Sequence, residues 1–473
     1  EIIPGSSSAL YGINSINGLA NLQTKNPFLN KGVSIYQRTG INHVDGIDHA
    51  PSFLSETAFR IAGTVGEKSK FAYRVNGSHF QGVDWLSANT TDQNPFYLTT
   101  SNPNNPQFTA GENNPAYDAW NRYGDEKNNA VTVTAGGKTY NVRRTGYWEK
   151  DLVNPNVNNT KADIGLFYKL TDKSQINYVY RIGTMDGVFQ RGNKVQLDNV
   201  LLQCHAVEYK NRNLQIRAYT NSENTGDSYN LKPTADNLDL TFKNNTVWKN
   251  DYQAKLVKEL GLGTDLVTAH QRAREAADFG RPQPGSDVFN AELQDIKNTN
   301  NWDHPSIVPG TPSAVGGSAF WQKSRTYHGE FQYDLSSLLD TAVNVLIGAD
   351  ARSYEVIPDG NNFVDFSRPI AERTQPEADG TYGKNQYYNK FGGFVQLSKE
   401  LFDNKLKLVG SLRYDRNPEF EGKFNPRAAI VYSPNKRNSV RVSYQDGYRF
   451  PALFEALSFV NNGNVRRVGG LEK

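Results

Sequence analysis

The chain has 473 residues, a mean hydropathy of −0.66 and a formal net charge of +3. It contains no apolar run of about 18 residues, the length that a membrane-spanning helix needs, so transporters and channels built from helices are excluded. Its only cysteine, Cys204, excludes an intrachain disulfide and a zinc site built from several cysteines. The 52 basic and 49 acidic residues are mixed along the chain, so we expect no nucleic-acid partner.

The chain divides into a short first segment and one large domain. Glu1-Ile-Ile-Pro-Gly5 has neither the basic start nor the apolar core of a signal peptide. No Pro-rich or Ser-rich linker and no shift in composition interrupts the remainder. We therefore expect one all-β domain over residues 31–473, preceded by a different segment over residues 1–30. Because the sequence begins inside an ordered motif, we interpret it as a fragment or a mature core.

Alternation of apolar and polar residues predicts about thirteen strands between residues 32 and 448. In residues 405–415, Leu408 and Leu412 share one face, while Lys407 and Arg413 share the other. Ile176 and Tyr178 likewise oppose Arg181. Similar segments are residues 57–65, 71–79, 162–170, 175–182, 327–335 and 343–352. An aromatic-rich apolar face and a persistently charged face are typical of a transmembrane barrel, whose outer side chains meet lipid and whose inner ones meet the lumen.

The connections between these strands are predicted to alternate in length. Short turns are predicted at residues 66–69, 171–173, 211–213, 335–340, 400–404 and 433–438. Between them lie longer connections rich in Asn, Pro, Gly and Asp, notably about 85–160, 226–321 and 357–385. Outer-membrane barrels alternate short periplasmic turns with long extracellular loops. An odd strand count would leave the two ends of the sheet on opposite sides of the membrane.

The second long connection contains a predicted helical stretch, residues 251–278. Leu256, Val257, Leu260, Leu266 and Val267 form an apolar stripe around a Gly-Leu-Gly break. Two interpretations stay open at this point. The stretch could be a ligand lid, or a loop helix that packs on its own hairpin, which is the ordinary use of an amphipathic helix.

The first 25 residues carry the most specific motif of the sequence. The matching positions are Gly5, Ser8, Ala9, Leu10, Tyr11, Gly12, Asn17, Gly18, Asn21, Thr24 and Lys25. In order and spacing they resemble the end of the plug domain of TonB-dependent outer-membrane receptors. Pro4 and Ser6 depart from that pattern, which commonly has Arg and Pro there. Gly12 and the Asn17-Gly18 pair predict turns, and residues 19–24 predict a short strand leading to the barrel.

A second resemblance lies near the other end, where Tyr448-Arg-Phe-Pro451 follows the alternating residues 440–445. It is similar to the end of a receptor barrel strand, and weaker similarities at residues 226–229 and 269–274 suggest receptors of the Bacteroidota. The resemblance implies a transmembrane antiparallel β-barrel of about 22 strands around an N-terminal plug. About thirteen of those strands and the last part of the plug would be present here.

The same resemblance implies the partners and the location. We expect an outer-membrane protein energised by the TonB-ExbB-ExbD complex through a segment N-terminal to this sequence. The solute would be a siderophore, a corrinoid, a glycan or a peptide. A SusD-like lipoprotein is a further possible partner, although the polar Ala20-Asn21-Leu22 is unlike the apolar ending of SusC-like importers. Outer-membrane lipid would surround the barrel.

Other candidate sites lack support in the sequence. His43, Asp45, Asp48 and His49 could bind a divalent metal, but a polar hairpin with an Asp-Gly turn explains them better. The Asp-Gly pairs at residues 186, 359, 379 and 446 lack the ligand series of an EF-hand. Glu330 and Asp334 are four residues apart on a strand, about 13 Å, which is too far for a glycosidase pair. No P-loop, dinucleotide or Gly-x-Ser-x-Gly motif occurs, so we expect neither an enzyme nor a cofactor.

Aromatic residues are frequent in the predicted loops and have two possible roles. They could stack on a ligand, or form the girdle of aromatic side chains at the membrane interface. The set comprises Trp85, Phe96, Tyr97, Tyr117, Trp120, Tyr147, Trp148, Trp302 and Trp321. We assign no ligand-binding residue from the sequence. A receptor that imports a scarce solute is the preferred function. The alternatives are a passive or adhesive surface barrel and a soluble all-β carbohydrate-binding or hydrolytic protein.

Overall fold

A computed structural model provides the structure of the chain. It describes residues 2–4, 18–20, 22–46, 49–66, 69–97, 108–126, 130–190, 194–300, 316–339, 343–462 and 465–471. None of the helices in these ranges is long and apolar enough to cross a membrane.

The strands and helices have the following bounds. The strands of the first half are β1 Ile2–Pro4, β2 Gly18–Ala20, β3 Gly32–Asn42, β4 Ser52–Val65, β5 Phe71–Val83, β6 Arg122–Tyr123, β7 Val131–Ala135, β8 Lys138–Val142, β9 Tyr147–Trp148, β10 Asn156–Thr171, β11 Ser174–Phe189, β12 Val195–Lys210, β13 Leu214–Asn224 and β14 Tyr229–Asn230. Those of the second half are β15 Lys323–Asp334, β16 Asn344–Ile357, β17 Gln386–Leu401, β18 Leu406–Asn417, β19 Phe420–Asn435, β20 Asn438–Gln445, β21 Phe459–Asn462 and β22 Val465–Val468. The helices are α1 Glu149–Leu152, α2 Leu231–Phe242, α3 Asn245–Gly261, α4 Leu266–Ala277, α5 Asp287–Asn298, α6 Ser336–Leu339 and α7 Leu453–Leu457.

One antiparallel sheet dominates the fold. Its 14 strands include the short β14, which pairs beside the path formed by the other thirteen. That path runs from β3 to β20, and each strand pairs with the path strands before and after it in the chain. The expectation of about thirteen barrel strands, and of an all-β chain, is confirmed. Within the described residues β3 and β20 are the two edges, and the sheet is not closed between them.

The two faces of the sheet differ as the alternation predicted. Register places Leu412 opposite Val395 and Pro426, and Tyr178 opposite Leu166 and Val207. These side chains share one face, which we call the apolar face, and many of them are solvent-exposed in the isolated chain. Large exposed members are Val33, Ile35, Ile61, Ile164, Leu166, Ile176, Ile216, Phe331, Val395, Leu412, Phe424, Ile430, Val440 and Val442.

The opposite face, which we call the polar face, carries the charges. Arg413 on this face is only 1% exposed and pairs with Asp415 and Asp350. Arg74 is equally enclosed and pairs with Asp163, which also accepts a hydrogen bond from Arg181 at 3.0 Å. The prediction that Arg181 and Arg413 oppose Tyr178 and Leu412 is therefore confirmed. Charges pair across neighbouring strands because alternating residues of adjacent strands lie directly opposite one another.

The predicted connections need three corrections. All six predicted short turns lie on one side of the sheet, and the three long loops lie on the other. However, the long-loop side also has two short connections, residues 190–194 and 418–419. The first long loop is shorter than predicted because β10 begins at Asn156, so residues 156–160 are strand. The turn predicted at residues 335–340 contains the short helix α6.

The two longest loops fold together into one body. The described parts of residues 84–155 and 225–322, which we call the loop cap, contain α1 to α5 and the hairpin β7–β8. The predicted helical stretch is confirmed as α3 and α4, but it packs on β7–β8 of the other long loop rather than on its own hairpin. The sequence analysis missed α2 and α5. The Asn244, Asp265 and Ser286 side chains cap α3, α4 and α5.

The N-terminal segment forms one small strand pair, β1 with β2. The strand predicted over residues 19–24 is shorter than expected, since it ends at Ala20 and residues 22–26 are neither helix nor strand. Of the plug motif, only Gly18 lies in a described strand. Gly5, Ser8, Ala9, Leu10, Tyr11, Gly12, Asn17 and Asn21 lie outside the described residues.

Candidate functional site

The polar face carries an ordered set of side chains near its long-loop side. Register aligns Tyr219, His328, Arg352 and Lys390 across β13, β15, β16 and β17. We call these four residues the basic row. The next row toward the long loops contains Tyr354 and Tyr388 on β16 and β17. Same-face neighbours along a strand are about 7 Å apart, so the two rows form one continuous surface.

Arg352 is held in place by neutral partners. Its guanidinium Nε donates to His328 Nδ1 at 3.2 Å, Nη1 donates to the Tyr354 hydroxyl at 3.3 Å, and Nη2 donates to the Tyr219 hydroxyl at 3.3 Å. None of these acceptors is a carboxylate. Arg352 forms no ion pair with any residue that the structure describes. Its charge is therefore oriented by neutral acceptors, without direct contact to a described carboxylate.

Lys390 is enclosed beside two aromatic rings. The residue is 6% exposed, and its Nζ lies 5.5 Å from the ring centroid of Tyr354 and 5.2 Å from that of Tyr388. An ammonium group near the faces of aromatic rings gains a cation–π attraction. Within the described part of the chain, Lys390 has no carboxylate partner and no hydrogen-bond acceptor. The basic row thus presents two cations, neither of which contacts a carboxylate in the part of the chain that the structure describes.

The carboxylates nearby are already paired. Toward the short turns, the neighbouring row contains Arg217, Glu330, Asp350 and Asp415. Glu330 accepts from Arg217 at 2.7 Å and from His328 at 3.0 Å. Asp350 and Asp415 share the guanidinium of Arg413, and Asn425 donates to Asp415 at 3.0 Å.

His328 separates the acidic row from Arg352. Its Nδ1 accepts from Arg352, so this nitrogen carries no proton. Its Nε2 therefore holds the proton of a neutral imidazole and donates it to Glu330. Because an imidazole lies between them, Glu330 does not pair with Arg352 directly. The histidine also lies 4.7 Å from the ring of Tyr219, centroid to centroid.

The segment that follows β20 packs on Tyr354 and Tyr388. The Tyr388 hydroxyl donates to the Pro451 carbonyl at 3.0 Å, and Tyr388 packs in one core with Val356, Ala456 and Leu457. Phe450 is fully buried and stacks on Phe420 at a centroid distance of 5.9 Å. Residues 448–451 are the Tyr-Arg-Phe-Pro sequence singled out above, so this motif anchors one side of the candidate site.

The loop cap is a well-packed body on the long-loop side of the sheet. Trp248, Tyr252 and Leu256 of α3 are fully buried against Val133 and Val142 of the hairpin. The indole N–H of Trp248 donates to Asp278 at 2.7 Å. Charged side chains join the two loops as well: Arg274 donates to the carbonyls of Pro115 and Arg143, both at 2.7 Å.

Burial shifts the pKa values of His270 and Asp125 in the cap. It lowers the pKa of His270 to about 3, and the nearby Arg274 charge acts in the same direction. His270 contacts the Tyr252 hydroxyl at 2.8 Å, while its Nε2 is buried without a partner. Burial also raises the pKa of Asp125 to about 6, although Arg122 pairs with it at 2.6 Å. Desolvation is the larger effect for both groups.

The candidate sites discounted in the sequence analysis do not gather into a metal centre. His43 contacts the Val83 carbonyl, and His49 contacts Ser52. No group of three or more potential ligands was found among the described residues, and Asp48 lies outside them. Asp359 accepts from the backbone N–H groups of residues 361, 362 and 363, which confirms its role in a turn.

The loop aromatics separate into three groups. Tyr97, Tyr117 and Tyr147 are buried in the cap, so they do not present a face to a ligand. Trp85, Phe96 and Trp120 are more than half exposed. Trp148 and Trp321 are intermediate, and Trp302 lies outside the described residues.

The sequence analysis placed residue 352 at the end of a predicted strand, residues 343–352, without assigning it a role, and it missed Lys390, Tyr354 and Tyr388. A usable signal was present. Arg352-x-Tyr354 and Tyr388-x-Lys390 each place a cation and a phenol on the same face of a strand. What the sequence did not provide was the register that sets the two pairs side by side.

Comparisons with known proteins were made on sequence and on structure. A family model for the β-barrel of TonB-dependent receptor-like proteins matches residues 209–470, more than half of the chain. No curated protein matches the sequence. A mutant of the ferric enterobactin receptor of Pseudomonas aeruginosa is 13% identical, with a TM-score of 0.49, covering 97% of this chain and 50% of that one.

Two further solved structures give similar values. The FrpB iron transporter of Neisseria meningitidis is 12% identical, with a TM-score of 0.48, covering 95% of this chain and 53% of that one. The siderophore receptor PirA of Acinetobacter baumannii is 10% identical, with a TM-score of 0.49, covering 98% of this chain and 51% of that one. The chain spans about half the length of the structures that it matches.

Proposed function

We propose, for a chain that belongs to the family of TonB-dependent receptors, that the intact protein binds a scarce solute at the cell surface and imports it. The protein would reside in the outer membrane of a Gram-negative bacterium, and energy would come from the TonB complex of the inner membrane. The family is one of receptors rather than enzymes, in agreement with the sequence analysis.

The observation that carries this proposal is the contrast between the two faces of a family-matched β-sheet. An apolar face that exposes Ile35, Leu412 and Val442 would be unfavourable against water, whereas lipid solvates it. The polar face, with its paired charges, suits a wet or plugged lumen. The segments carrying these faces are 8 to 16 residues long. That range includes the roughly 9–11 residues that a tilted membrane strand needs.

The proposed arrangement of the chain follows from the same premise. Residues 1–30 would be the end of the plug domain, with Gly5, Ser8, Ala9, Leu10, Tyr11, Gly12, Asn17 and Gly18 as its structural motif. Residues 31–473 would belong to the barrel wall. The long-loop side would face the exterior, so that the loop cap and the basic row meet the solute first.

A comparison of solute binding with solute uptake tests the proposal. Cells that lack the receptor would receive the intact gene, in backgrounds with and without TonB. A panel of labelled ferric siderophores, cobalamin, oligosaccharides and peptides would then be offered. For the solute that is taken up, we expect uptake to require TonB and the proton-motive force, and surface binding to persist without either.

The control is a host with the empty vector, which reports solute binding and leakage that do not depend on the receptor. Receptor-dependent uptake that survives both loss of TonB and collapse of the proton-motive force would refute active import. It would favour the passive barrel in its place. If no member of the panel bound to cells that display the protein, the proposed receptor role for these solute classes would be wrong.

A further inference from the structure

We propose that Arg352 and Lys390 together bind an oxyanion, a carboxylate or a phosphate group, on the solute that this receptor takes up. The inference rests on the proposed receptor function and assigns the substrate class to one place on the polar face. Tyr219 and Tyr354, which are only partly buried, would contact the part of the solute that carries the anionic group, whereas the buried Tyr388 would hold Lys390 in place.

Lys390 is an enclosed cation that contacts no anion among the described residues. Lys390 is 94% enclosed by its surroundings, since only 6% of its surface is exposed, yet no described residue accepts a hydrogen bond from its ammonium group. Enclosing a charge without a partner is costly, because protein groups replace water poorly unless an opposite charge or an acceptor is supplied. The aromatic rings offset part of that cost but cannot accept three N–H bonds. An oxyanion would provide the missing acceptors.

Arg352 and Lys390 lie side by side on the polar face. Arg352 and Lys390 are direct register partners on adjacent strands, so their Cα atoms are about 5 Å apart and their side chains leave the same face. Two such cations can reach the oxygens of a single anionic group. Neutral partners orient the guanidinium on three sides, which prepares it for a planar acceptor.

The carboxylates of the neighbouring row on the polar face are already paired with other side chains. Glu330 is engaged by Arg217 and His328, and Asp350 and Asp415 by Arg413. The imidazole of His328 lies between the Glu330 carboxylate and Arg352, so the two do not pair directly. Lys390 and Arg352 differ in this respect from Arg74 and Arg181, both of which contact Asp163 directly on the same sheet.

The tyrosines add a second type of contact. The ring faces of Tyr354 and Tyr388 lie 6.4 Å apart between centroids and flank the Lys390 ammonium. The Tyr354 ring provides flat apolar contact, and its hydroxyl, which accepts from Arg352, can donate its own proton to an anion, whereas the Tyr388 hydroxyl already donates to Pro451. A solute with an anionic group beside a flat or apolar moiety fits this combination, whereas a neutral glycan would leave both cations unpaired.

Equilibrium dialysis on the intact, detergent-purified receptor tests the assignment. The probes are radiolabelled inorganic phosphate and radiolabelled citrate, which separate the two oxyanion types. The variants are Lys390→Gln, Arg352→Gln and the double substitution. We expect each single variant to weaken the binding of the preferred probe roughly tenfold, and the double variant to abolish it. Lys390→Arg should restore most of the affinity, because it keeps the charge.

Arg38→Gln is the matched control. Arg38 is a cation on the same face of the distant strand β3, and it already pairs with Glu56 at 2.8 Å. It should leave probe binding unchanged. Heat-modifiable migration on a gel identifies variants that fail to fold. If a glutamine variant fails, Lys390→Met or Arg352→Met, which also removes the charge, takes its place in the comparison.

Two results would overturn the assignment. One is that neither probe binds the folded receptor. The other is that the double variant binds as tightly as the unchanged protein. Neither measurement involves TonB, so loss of the oxyanion site and loss of active import are separate outcomes. Binding of phosphate alone would indicate a phosphorylated solute, and binding of citrate alone a carboxylated one.

Discussion

The sheet and the loop cap place the same types of side chain in opposite surroundings. On the apolar face of the sheet, Val442 is 67% exposed and Ile35 is 75% exposed. In the cap, Trp248, Tyr252 and Leu256 have no exposed surface. The cap therefore has the interior of a water-soluble domain, whereas the sheet directs its largest apolar surface outward. This contrast supports the proposal that one chain folds against two solvents, lipid and water.

Charged groups differ between the two regions in the same way. The sheet pairs its charges across strands on one face, as in Arg413 with Asp350. In the cap, charged side chains instead donate to backbone carbonyls of the other long loop. Arg144, which is almost fully buried, donates to the Lys243 carbonyl at 2.9 Å, and Arg274 donates to the Pro115 carbonyl at 2.7 Å. Such contacts hold the two long loops together as one unit.

The strongest test of this contrast removes the central side chain of the cap. Trp248→Ala leaves a cavity among Tyr252, Leu256 and the β7–β8 hairpin. We expect the free energy of unfolding of the cap to fall by about 3–5 kcal/mol, while the sheet stays folded. Hydrogen exchange of peptides from the cap and from the sheet, measured in the same sample, checks both parts of the expectation.

Phe279→Ala is the control for this substitution, because Phe279 belongs to the same loop and is 83% exposed. It should change cap protection by less than about 0.5 kcal/mol. Equal loss of protection in the cap and the sheet after Trp248→Ala would show that the two regions unfold together. The contrast between two separately solvated regions would then be wrong.

The next test asks which solvent meets the apolar face. Leu412 lies near the middle of β18, on that face. In lipid, Leu412→Arg should cost about 2–4 kcal/mol, because the charge would lie near the membrane midplane. In water the same change at a half-exposed position would cost little. Urea-induced unfolding of the intact receptor in lipid vesicles measures the difference.

Gln396→Arg is the matched control. Gln396 follows Val395, the register partner of Leu412, and its side chain lies on the polar face. It should be tolerated. A spin label at position 412 should report lipid, and one at position 396 should report water. The reverse accessibility would exchange the proposed lipid and lumen faces.

Sequence patterns predicted the sheet well because its determinants are local. Alternation with a period of two fixes which residues share a face, and short turns then fix the register of neighbouring strands. Leu412 and Arg413 could therefore be assigned to opposite faces without the structure. The edges were less predictable: β10 begins five residues before the predicted end of its loop, because polar Asn residues continue the ladder there.

The cap and the basic row could not be predicted in the same way. Arg144 and Asp239 meet across 95 residues, and no local pattern marks such a pair. Similarly, Arg352 and Lys390 belong to strands separated by the 28 residues of the third long loop, 358–385. The register of β16 and β17 places the two cations side by side, and the side-chain contacts show that neither pairs with a described carboxylate. The chemical types were visible in the sequence, but their juxtaposition was not.

Acid should weaken the cap through His270. Burial lowers the pKa of this imidazole to about 3, from an ordinary value near 6.5. The folded cap keeps His270 neutral, while the unfolded chain binds a proton as pH falls below about 6.5, so stability is lost in that direction. At pH 5 the loss attributable to His270 should be about 2 kcal/mol. Hydrogen exchange of residues 245–277, corrected for the intrinsic pH dependence, measures it.

His270→Gln provides the comparison, because it removes the titrating group. Asp125 acts in the opposite direction, since its raised pKa of about 6 makes the folded cap bind a proton more readily. The unchanged protein should therefore lose more stability between pH 7 and pH 5 than the variant. Identical pH profiles would mean that His270 is not a buried neutral group.

The smallest expected effect concerns how the cap begins its longest helix. Asn244 precedes α3, and its side-chain oxygen accepts from the Val247 N–H at 2.9 Å, which satisfies one of the free N–H groups at the start of the helix. Asn244→Ala should cost about 1 kcal/mol of cap stability, and Asn244→Asp should restore most of it. Asn250→Ala is the matched control at an exposed position inside the same helix, where alanine favours the helix by a few tenths of a kcal/mol. Hydrogen-exchange rates in α3 and in β18 report the two regions separately. If the cap folds independently of the sheet, Asn244→Ala should change the rates in α3 alone. A change of similar size in β18 would indicate that the sheet depends on the cap for its own stability.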